Sequence, residues 1–209
     1  MTYYSQAVHA KGGAMQNCWG FIDGTPRQIC RPSVEQENYY SGHKRFHCLK
    51  YQSVLYPDGI IVGLKGAFPG RRHDAGIFRE SGLYNELEHV ANFGPGEKFS
   101  LYGDQAYGLM DLLITPYQGR PADLQPYQEQ FNQSMKRLRV SVEWGFQKVV
   151  GQFAFIDFRK NQKLLMQDVE SMYKTTVLLT NCHTCLYGSQ TATYFNIVPP
   201  NINVYFGIQ

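Results

Sequence analysis

The chain has 209 residues, of which 43% are hydrophobic and 18% are charged. This length and balance suit one globular domain with a sizeable core, and they exclude an extensively disordered chain. No segment approaches the roughly 20 continuous apolar residues of a membrane-spanning helix, and the first residues lack the basic and apolar segments of a signal peptide.

The first part of the chain predicts three antiparallel strands. Residues 17–23 form a short strand-like run that ends at Asp23, because the Gly-Thr-Pro sequence at 24–26 indicates a turn directly after it. Residues 46–56 and 60–68 are further apolar and β-branched runs, and the Pro-Asp-Gly sequence between them predicts a hairpin. We therefore expect Asp23 at the end of a buried strand.

The middle of the chain predicts helices followed by a fourth strand. Asp74 is placed to cap a helix that ends near residue 82, and a second helical piece covers residues 83–90. Residues 98–102 predict a strand that leads directly into Asp104. A second carboxylate is thus expected at a strand end.

The later part of the chain is predicted to be helical. Residues 119–130 contain two prolines among polar residues and predict a loop, and residues 131–152 predict a long helix on which Glu143 borders an apolar stripe. Residues 153–158 are a short apolar run, and residues 164–179 predict a last helix.

Three acidic residues thus occupy distinct structural positions: Asp23 and Asp104 follow strand-like runs, and Glu143 lies on a helix. A carboxylate at the end of a buried strand is costly unless it is paired, hydrogen-bonded or bound to a metal. Three converging carboxylates would imply divalent cations, which prefer hard oxygen ligands. The chemistry that suits such a site is two-metal hydrolysis or transfer at a phosphate.

Five motifs follow one another along the chain: Asp-Gly-Thr at 23–25, Pro-Gly-Arg-Arg-His-Asp at 69–74, Gly-Asp-Gln-Ala-Tyr at 103–107, Leu-Ile-Thr-Pro-Tyr at 113–117 and Val-Glu-Trp-Gly-Phe-Gln at 142–147. Together they resemble the DDE nuclease family, and more narrowly the PIF/Harbinger transposases and Harbinger transposase-derived nucleases. The resemblance covers about residues 17–181. It implies an α/β fold of the RNase H-like type, with a mixed central sheet flanked by helices.

The resemblance also implies the roles of the site residues. Asp23, Asp104 and Glu143 would be the catalytic residues and would bind two Mg²⁺ or Mn²⁺ ions, with Asp23 as the ligand shared by both. His73 and Asp74 occupy the family's His-Asp position and would support the site. Helix capping by Asp74 and a structural role for His73 are the alternative explanations.

The family pattern implies a division of the chain into three parts. Relatives carry a helical segment ahead of the first catalytic strand, so we expect residues 1–16 to be an N-terminal remnant. Residues 17–187 would form the DDE endonuclease domain, and residues 188–209 would be an irregular C-terminal tail.

Basic residues are segregated along the chain, although the net charge of +3 is too small to indicate nucleic-acid binding by itself. One group lies between residues 43 and 73, and a second precedes Glu143 on the predicted helix. The candidates for contact with the DNA backbone are Lys44, Arg45, Arg71, Arg72, Lys136, Arg137 and Arg139. A solvated basic face without a partner is the alternative.

The five cysteines make an odd count without a regular framework, which favours reduced thiols that serve as small buried hydrophobes. Cys182, His183 and Cys185 could supply three zinc ligands, but no second Cys/His pair is evident nearby. A cysteine-based hydrolase or redox protein is the least favoured function.

The sequence leaves two main functions open. The first is a divalent-metal-dependent DNA endonuclease or transposase core, and the second is a catalytically inactive or domesticated transposase fragment that binds DNA or protein. Because no helix-turn-helix or zinc finger is readable, target choice would come from another region or from a Myb-like DNA-binding partner. A DNA substrate would place the protein in the nucleus, and the oligomeric state is left open.

Overall fold

The computed structural model describes residues 1–93, 97–156, 162–164 and 166–208. Its strands are β1 Cys18–Gln28, β2 Tyr40–Ser41, β3 Phe46–Leu55, β4 Ile61–Pro69, β5 Asn92–Phe93, β6 Glu97–Lys98, β7 Ser100–Tyr102 and β8 Leu113–Ile114. Its helices are α1 Thr2–Ala10, α2 Gln36–Tyr39, α3 Asp74–Glu80, α4 Leu83–Ala91, α5 Pro126–Gln152, α6 Val169–Tyr187, α7 Gln190–Phe195 and α8 Ile202–Phe206. No helix in these ranges is both long and apolar enough to cross a membrane.

A mixed sheet forms the centre of the molecule. β1 pairs antiparallel with β3 on one side and parallel with β7 on the other, and β7 pairs parallel with β8. β3 and β4 form the antiparallel hairpin that the sequence predicts. The helices flank this sheet, so the predicted α/β, RNase H-like fold class is confirmed.

Two hydrophobic clusters cover the two faces of the sheet. Successive side chains of a strand point to opposite faces. Phe21 of β1 accordingly belongs to the cluster that contains Leu138 and Val142 of α5, whereas its neighbour Ile22 belongs to the cluster that contains Phe78 of α3. The long helix α5 and the short helix α3 therefore approach β1 from opposite sides.

The predicted end of the first strand is wrong. β1 continues through the expected turn to Gln28, so Asp23 lies in mid-strand, opposite Ser53 of β3. Pairing with the long strand β3 maintains the extended conformation, and Pro26 is tolerated because the described part of β1 beyond Phe21 has no partner strand on its other side. Asp23 therefore lies two residues past the point where pairing with β7 stops.

The predicted starts of two helices are also wrong. α5 begins at Pro126, five residues before the predicted start, because proline suits the first helical position and the Gln125 amide nitrogen donates to Gln128 Oε1 at 2.9 Å in a capping box. α6 begins at Val169, where Asp168 Oδ1 accepts from the Ser171 amide at 3.0 Å. Of the predicted apolar run at 153–158, the structure describes the part to residue 156, which includes a 3₁₀ turn.

The expected irregular tail is wrong as well. α6 continues to Tyr187, and residues 188–208 contain α7 and α8. Phe195 and Ile197 are buried in the same hydrophobic cluster as Phe21. At the other end of the chain, residues 1–16 contain α1, whose Val8 is fully buried in that cluster. Both terminal segments are thus packed parts of the fold.

Candidate active site

Four carboxylates line one pocket of about 250 Å³ at the edge of the sheet. They belong to Asp23, Asp74, Asp104 and Glu143. The same pocket is lined by basic side chains, Lys44, Lys50 and Arg139, and by His43. The structure therefore brings the three predicted metal ligands together, and it adds Asp74 and a set of cations.

The strand arrangement explains why the two aspartates meet. β1 and β7 run parallel, so the residues beyond the carboxyl end of their pairing reach the same edge of the sheet. Asp104 follows β7 after Gly103, and a Cβ atom on Gly103 would lie 2.8 Å from Ile22 Cγ2. The glycine lets the chain pass close to β1 as it leads into Asp104.

The other two carboxylates come from helices on opposite sides of the sheet. Glu143 is exposed on α5, one helical turn after Arg139, and these two side chains therefore lie on the same face of the helix. Asp74 is the first residue of α3. Because α5 packs against β1 and α3 packs against the neighbouring strand β3, their side chains can reach the site from opposite faces of the sheet.

Asp23 is the most buried of the predicted ligands, with a side chain that is 19% exposed. Its Oδ2 accepts a hydrogen bond from Arg139 Nη1 at 2.9 Å, and its Oδ1 accepts from the Gly24 amide at 2.9 Å. Burial raises the pKa of Asp23 to about 6, although Arg139 and the Gly24 amide oppose the rise and the charges of Asp104 and Asp74 add to it. The protein therefore supplies too little positive charge around Asp23 to hold its pKa at the ordinary value of 3.8.

The capping role considered for Asp74 is wrong. The N-cap of α3 is His73, and no side-chain hydrogen bond caps the helix. The Asp74 carboxylate instead contacts Lys50 Nζ at 3.4 Å and lies over Gly24, where a Cβ atom would be only 3.0 Å from Asp74 Oδ1. Asp74 therefore faces the pocket, whereas His73 is exposed outside its lining.

Two residues of β3 that the sequence did not single out support this arrangement. Lys50 Nζ donates to the Arg72 carbonyl at 2.6 Å and also contacts Asp74, and Gln52 Nε2 donates to the buried Tyr107 hydroxyl at 3.1 Å. Polar residues two positions apart in an otherwise apolar strand share one face. That spacing is the signal by which they could have been found.

The seven basic candidates separate into different environments. Lys44 and Arg139 line the acidic pocket, and Lys136 lines the cavity beside it. Arg72 pairs with Glu80, and Arg137 donates to the Lys11 carbonyl at 3.0 Å. Arg45 and Arg71 are exposed and do not line the acidic pocket. Three of the seven candidates therefore lie at the acidic pocket or at the cavity beside it.

The donor chemistry of the pocket fits hard divalent cations, because its acidic ligands are all carboxylates. In the described part of the chain, however, no three His, Cys, Asp or Glu side chains are grouped closely enough to hold a metal ion. Arg139 and Lys50 contact Asp23 and Asp74 in this arrangement. Metal binding would therefore require these cations to give way.

The cysteines do not form a second site. Cys182 and Cys185 are free thiols that lie partly buried on α6, without a metal-binding cluster among the described residues. Burial raises the pKa of the Cys185 thiol. A thiol of this kind is a poor nucleophile, which argues against cysteine-based chemistry.

The chain is similar to known proteins along most of its length. The family model of the DDE superfamily endonucleases matches residues 22–181. The chain is 28% identical to a protein named ALP1-like from Arabidopsis thaliana over 159 residues, which are 70% of this chain and 38% of that protein. It is 29% identical to a probable transposase for insertion sequence element IS702 from Microchaete diplosiphon over 123 residues, 58% of this chain and 42% of that protein.

The matched segments span about two fifths of the length of these curated relatives. No solved structure gives a significant match to the chain. The family match begins one residue before Asp23 and includes Asp74, Asp104 and Glu143. The matched region therefore contains every acidic residue that lines the pocket.

Proposed function

The chain belongs to the DDE superfamily endonucleases, and from this premise we propose that it is the catalytic core of a metal-dependent DNA endonuclease or transposase. The single observation that supports this function best is that Asp23, Asp104 and Glu143 line one pocket. These residues lie far apart in the sequence: Asp23 is within β1, Asp104 follows β7 and Glu143 is on α5. A fold without a use for them has no reason to gather three carboxylates.

The proposed ligands are Asp23 for both of two Mg²⁺ or Mn²⁺ ions, Asp104 for one and Glu143 for the other. When bound, two such ions would activate the attacking oxygen and stabilise the leaving oxygen of a phosphodiester. Asp74 adds a fourth carboxylate on the side of α3. Gln52 donates to the Asp74 carbonyl oxygen at 3.5 Å and thereby helps to position this residue.

The basic side chains that line the pocket have a separate role. Lys44, Lys50 and Arg139 line the pocket together with the carboxylates, and each can contact a phosphate oxygen of the DNA backbone. Arg139 also favours the ionised form of Asp23, whose pKa is raised by burial. The basic residues would thus bind the substrate, and Arg139 would leave Asp23 when a metal ion binds there.

The alternative of an inactive or domesticated fragment is not favoured, because Asp23, Asp104 and Glu143 all line the pocket. The chain spans only part of its relatives, so the activity of the whole protein is itself part of the proposal. Target choice would depend on a Myb-like partner or another region. A DNA substrate would place the protein in the nucleus.

The proposal predicts that Mn²⁺ stabilises the folded chain. Free metal at a hundred times its Kd adds about 2.7 kcal/mol to the free energy of unfolding, and for a chain of this size that raises the Tm by about 5–10 °C. Thermal melts with Mn²⁺, Mg²⁺ or EDTA would measure the shift.

The matched variants are Asp23→Asn and Asp104→Asn, in which the metal-dependent shift is expected to disappear. The control is Asp111→Asn, which changes an exposed carboxylate outside the pocket and should keep the full shift. The proposed metal site is wrong if the wild-type Tm is the same in EDTA and in saturating Mn²⁺.

A further inference from the structure

A second cavity, of about 430 Å³, lies beside the acidic pocket and shares Asp104 and Arg139 with it. The chain after β7 forms one wall, which includes Tyr117, and the first half of α5 forms the other. Its volume lies within the range of about 300–1,000 Å³ that small-molecule sites occupy. We call it the Tyr117 cleft. A DNA strand with a phosphodiester at the acidic pocket would bring the adjoining nucleotide to this cleft.

Two neighbouring aromatic side chains hold the ring of Tyr117 in place. It makes edge-to-face contacts with Phe131, at 5.3 Å between ring centroids, and with Tyr127, at 6.2 Å. Asn132 fixes the backbone, because its Oδ1 accepts from the Tyr117 amide at 2.9 Å and its Nδ2 donates to the Tyr117 carbonyl at 3.0 Å. The residue nevertheless stays 41% exposed. The ring is thus a fixed aromatic surface at an open cleft.

Two polar groups of the cleft lack a partner in the described part of the chain. Tyr102 is fully buried, yet its hydroxyl makes no hydrogen bond with any described residue. Buried polar groups without a partner are rare in folded proteins. Lys136 is exposed at the cleft and forms no ion pair with the described residues. A ligand with one negative charge would satisfy Lys136.

The acidic residues of the cleft narrow the choice of ligand. Glu129 lines the cleft, with its Oε1 accepting from Gln133 Nε2 at 3.0 Å, and Asp104 lies at the junction with the acidic pocket. Two carboxylates disfavour a ligand with several phosphates. An aromatic surface and a lone cation instead suit one base with a single phosphodiester.

We propose that the Tyr117 cleft binds one unpaired nucleotide of the DNA substrate, with its base on the Tyr117 ring and its phosphate on Lys136. The nucleotide must be unpaired, because a base inside a duplex has both of its faces covered by neighbouring bases. The proposal rests on the proposed function for its DNA ligand. It goes further by assigning a nucleotide subsite that requires no metal.

The test uses the full chain in EDTA, so that it is independent of metal-dependent cleavage. The probe is a single-stranded oligonucleotide with one 2-aminopurine, whose fluorescence falls when its base stacks. We expect quenching on binding, and we expect Tyr117→Ala to abolish the quenching and to weaken binding about tenfold. Tyr117→Phe retains the ring and should retain the quenching.

A second pair of variants tests the proposed contact between Lys136 and the phosphate. Lys136→Gln should weaken binding of the same oligonucleotide several-fold, whereas Lys174→Gln, which changes an exposed lysine of α6, should have little effect. Circular dichroism and thermal melts of each variant show whether it is folded.

The two proposals can fail separately. If the chain does not cut DNA but shows quenching that Tyr117→Ala removes, the cleft assignment holds and the catalytic proposal fails. If metal-dependent cutting is observed and a folded Tyr117→Ala variant binds and quenches like the wild type, the cleft assignment is overturned. It is also overturned if the wild-type chain binds the oligonucleotide without quenching or does not bind it.

Discussion

Asp23 is the residue whose environment conflicts most with its charge. Its pKa is raised from 3.8 to about 6, chiefly by burial. Between these two pH values the folded protein keeps a proton that the unfolded chain has released. Folding stability therefore falls as the pH rises from about 4 to 6, and it stays low above that range. A divalent cation would supply the missing positive charge.

This conflict predicts that Asp23→Asn stabilises the metal-free chain at neutral pH. A pKa displaced by about two units corresponds to about 2–3 kcal/mol, which the neutral asparagine recovers at pH 7 and not at pH 4. Urea unfolding in EDTA at the two pH values would measure the difference. Asp111→Asn is the control and should change stability by less than about 0.5 kcal/mol. Equal effects of Asp23→Asn at both pH values would contradict the assigned burial.

Arg139 is predicted to compete with metal for Asp23, because its Nη1 lies 2.9 Å from the Asp23 carboxylate. At pH 8, well above the pKa of about 6 for Asp23, removal of the arginine exposes the ligand and removes a charge that repels the metal ion. We expect Arg139→Gln to tighten Mn²⁺ binding roughly tenfold, which corresponds to about 1.4 kcal/mol.

Calorimetric titration at pH 8 would test this competition. Arg137→Gln is the matched control on the same helix, because Arg137 donates to the Lys11 carbonyl and does not line the pocket. Weaker Mn²⁺ binding by Arg139→Gln would instead mean that the arginine organises the site for metal.

At the scale of single residues, the sequence was informative where the chemistry is local. Asp23, Asp104 and Glu143 each stand in a recognisable motif. All three line one pocket in the structure. Asp74 was harder to interpret, because an aspartate before a helix also suits capping. In the structure Asp74 contacts Lys50 of β3. That strand is distant in the sequence, so no local pattern reveals the contact.

At the scale of elements, hydrophobic patterns predicted the long strands β1, β3 and β4 and the helices α3 to α6, but not the short strands β2 and β8 or the ends of several elements. The Gly-Thr-Pro sequence after Asp23 indicates a turn, but pairing with β3 keeps β1 extended to Gln28. Local turn preference was overridden by a long partner strand, which no local pattern reveals. α5 similarly begins early because of a cap formed by glutamines, which are not typical N-cap residues.

The C-terminal helices are predicted to contribute to the main core. Phe195 of α7 is 3% exposed and stacks on Phe21 of β1 at 6.0 Å between ring centroids. We expect Phe195→Ala to lower the free energy of unfolding by about 3–5 kcal/mol. Urea denaturation would measure it, with Phe206→Ala as the control because Phe206 is 49% exposed. Equal, small effects of both variants would show that α7 is not part of the cooperative unit.

At the scale of the whole molecule, the RNase H-like sheet explains how distant residues come to share one site. The pairing of β1 with β7 ends at the site, and α3 and α5 reach it from opposite faces of the sheet. The resemblance in the sequence predicted this architecture, whereas the packing of the terminal helices lay outside the recognised motifs. The acidic pocket and the Tyr117 cleft meet at Asp104 and Arg139, so the proposed metal site and the proposed nucleotide site adjoin each other.

The most direct test of the account is nicking of supercoiled plasmid by the chain with Mn²⁺, Mg²⁺ or EDTA. We expect nicking with metal that EDTA abolishes and that is lost in folded Asp23→Ala, Asp104→Ala and Glu143→Ala variants, while Asp111→Ala stays active. The account would be contradicted if the three variants nicked DNA as well as the wild type does. It would also be contradicted if the folded wild-type chain neither nicked DNA nor bound metal.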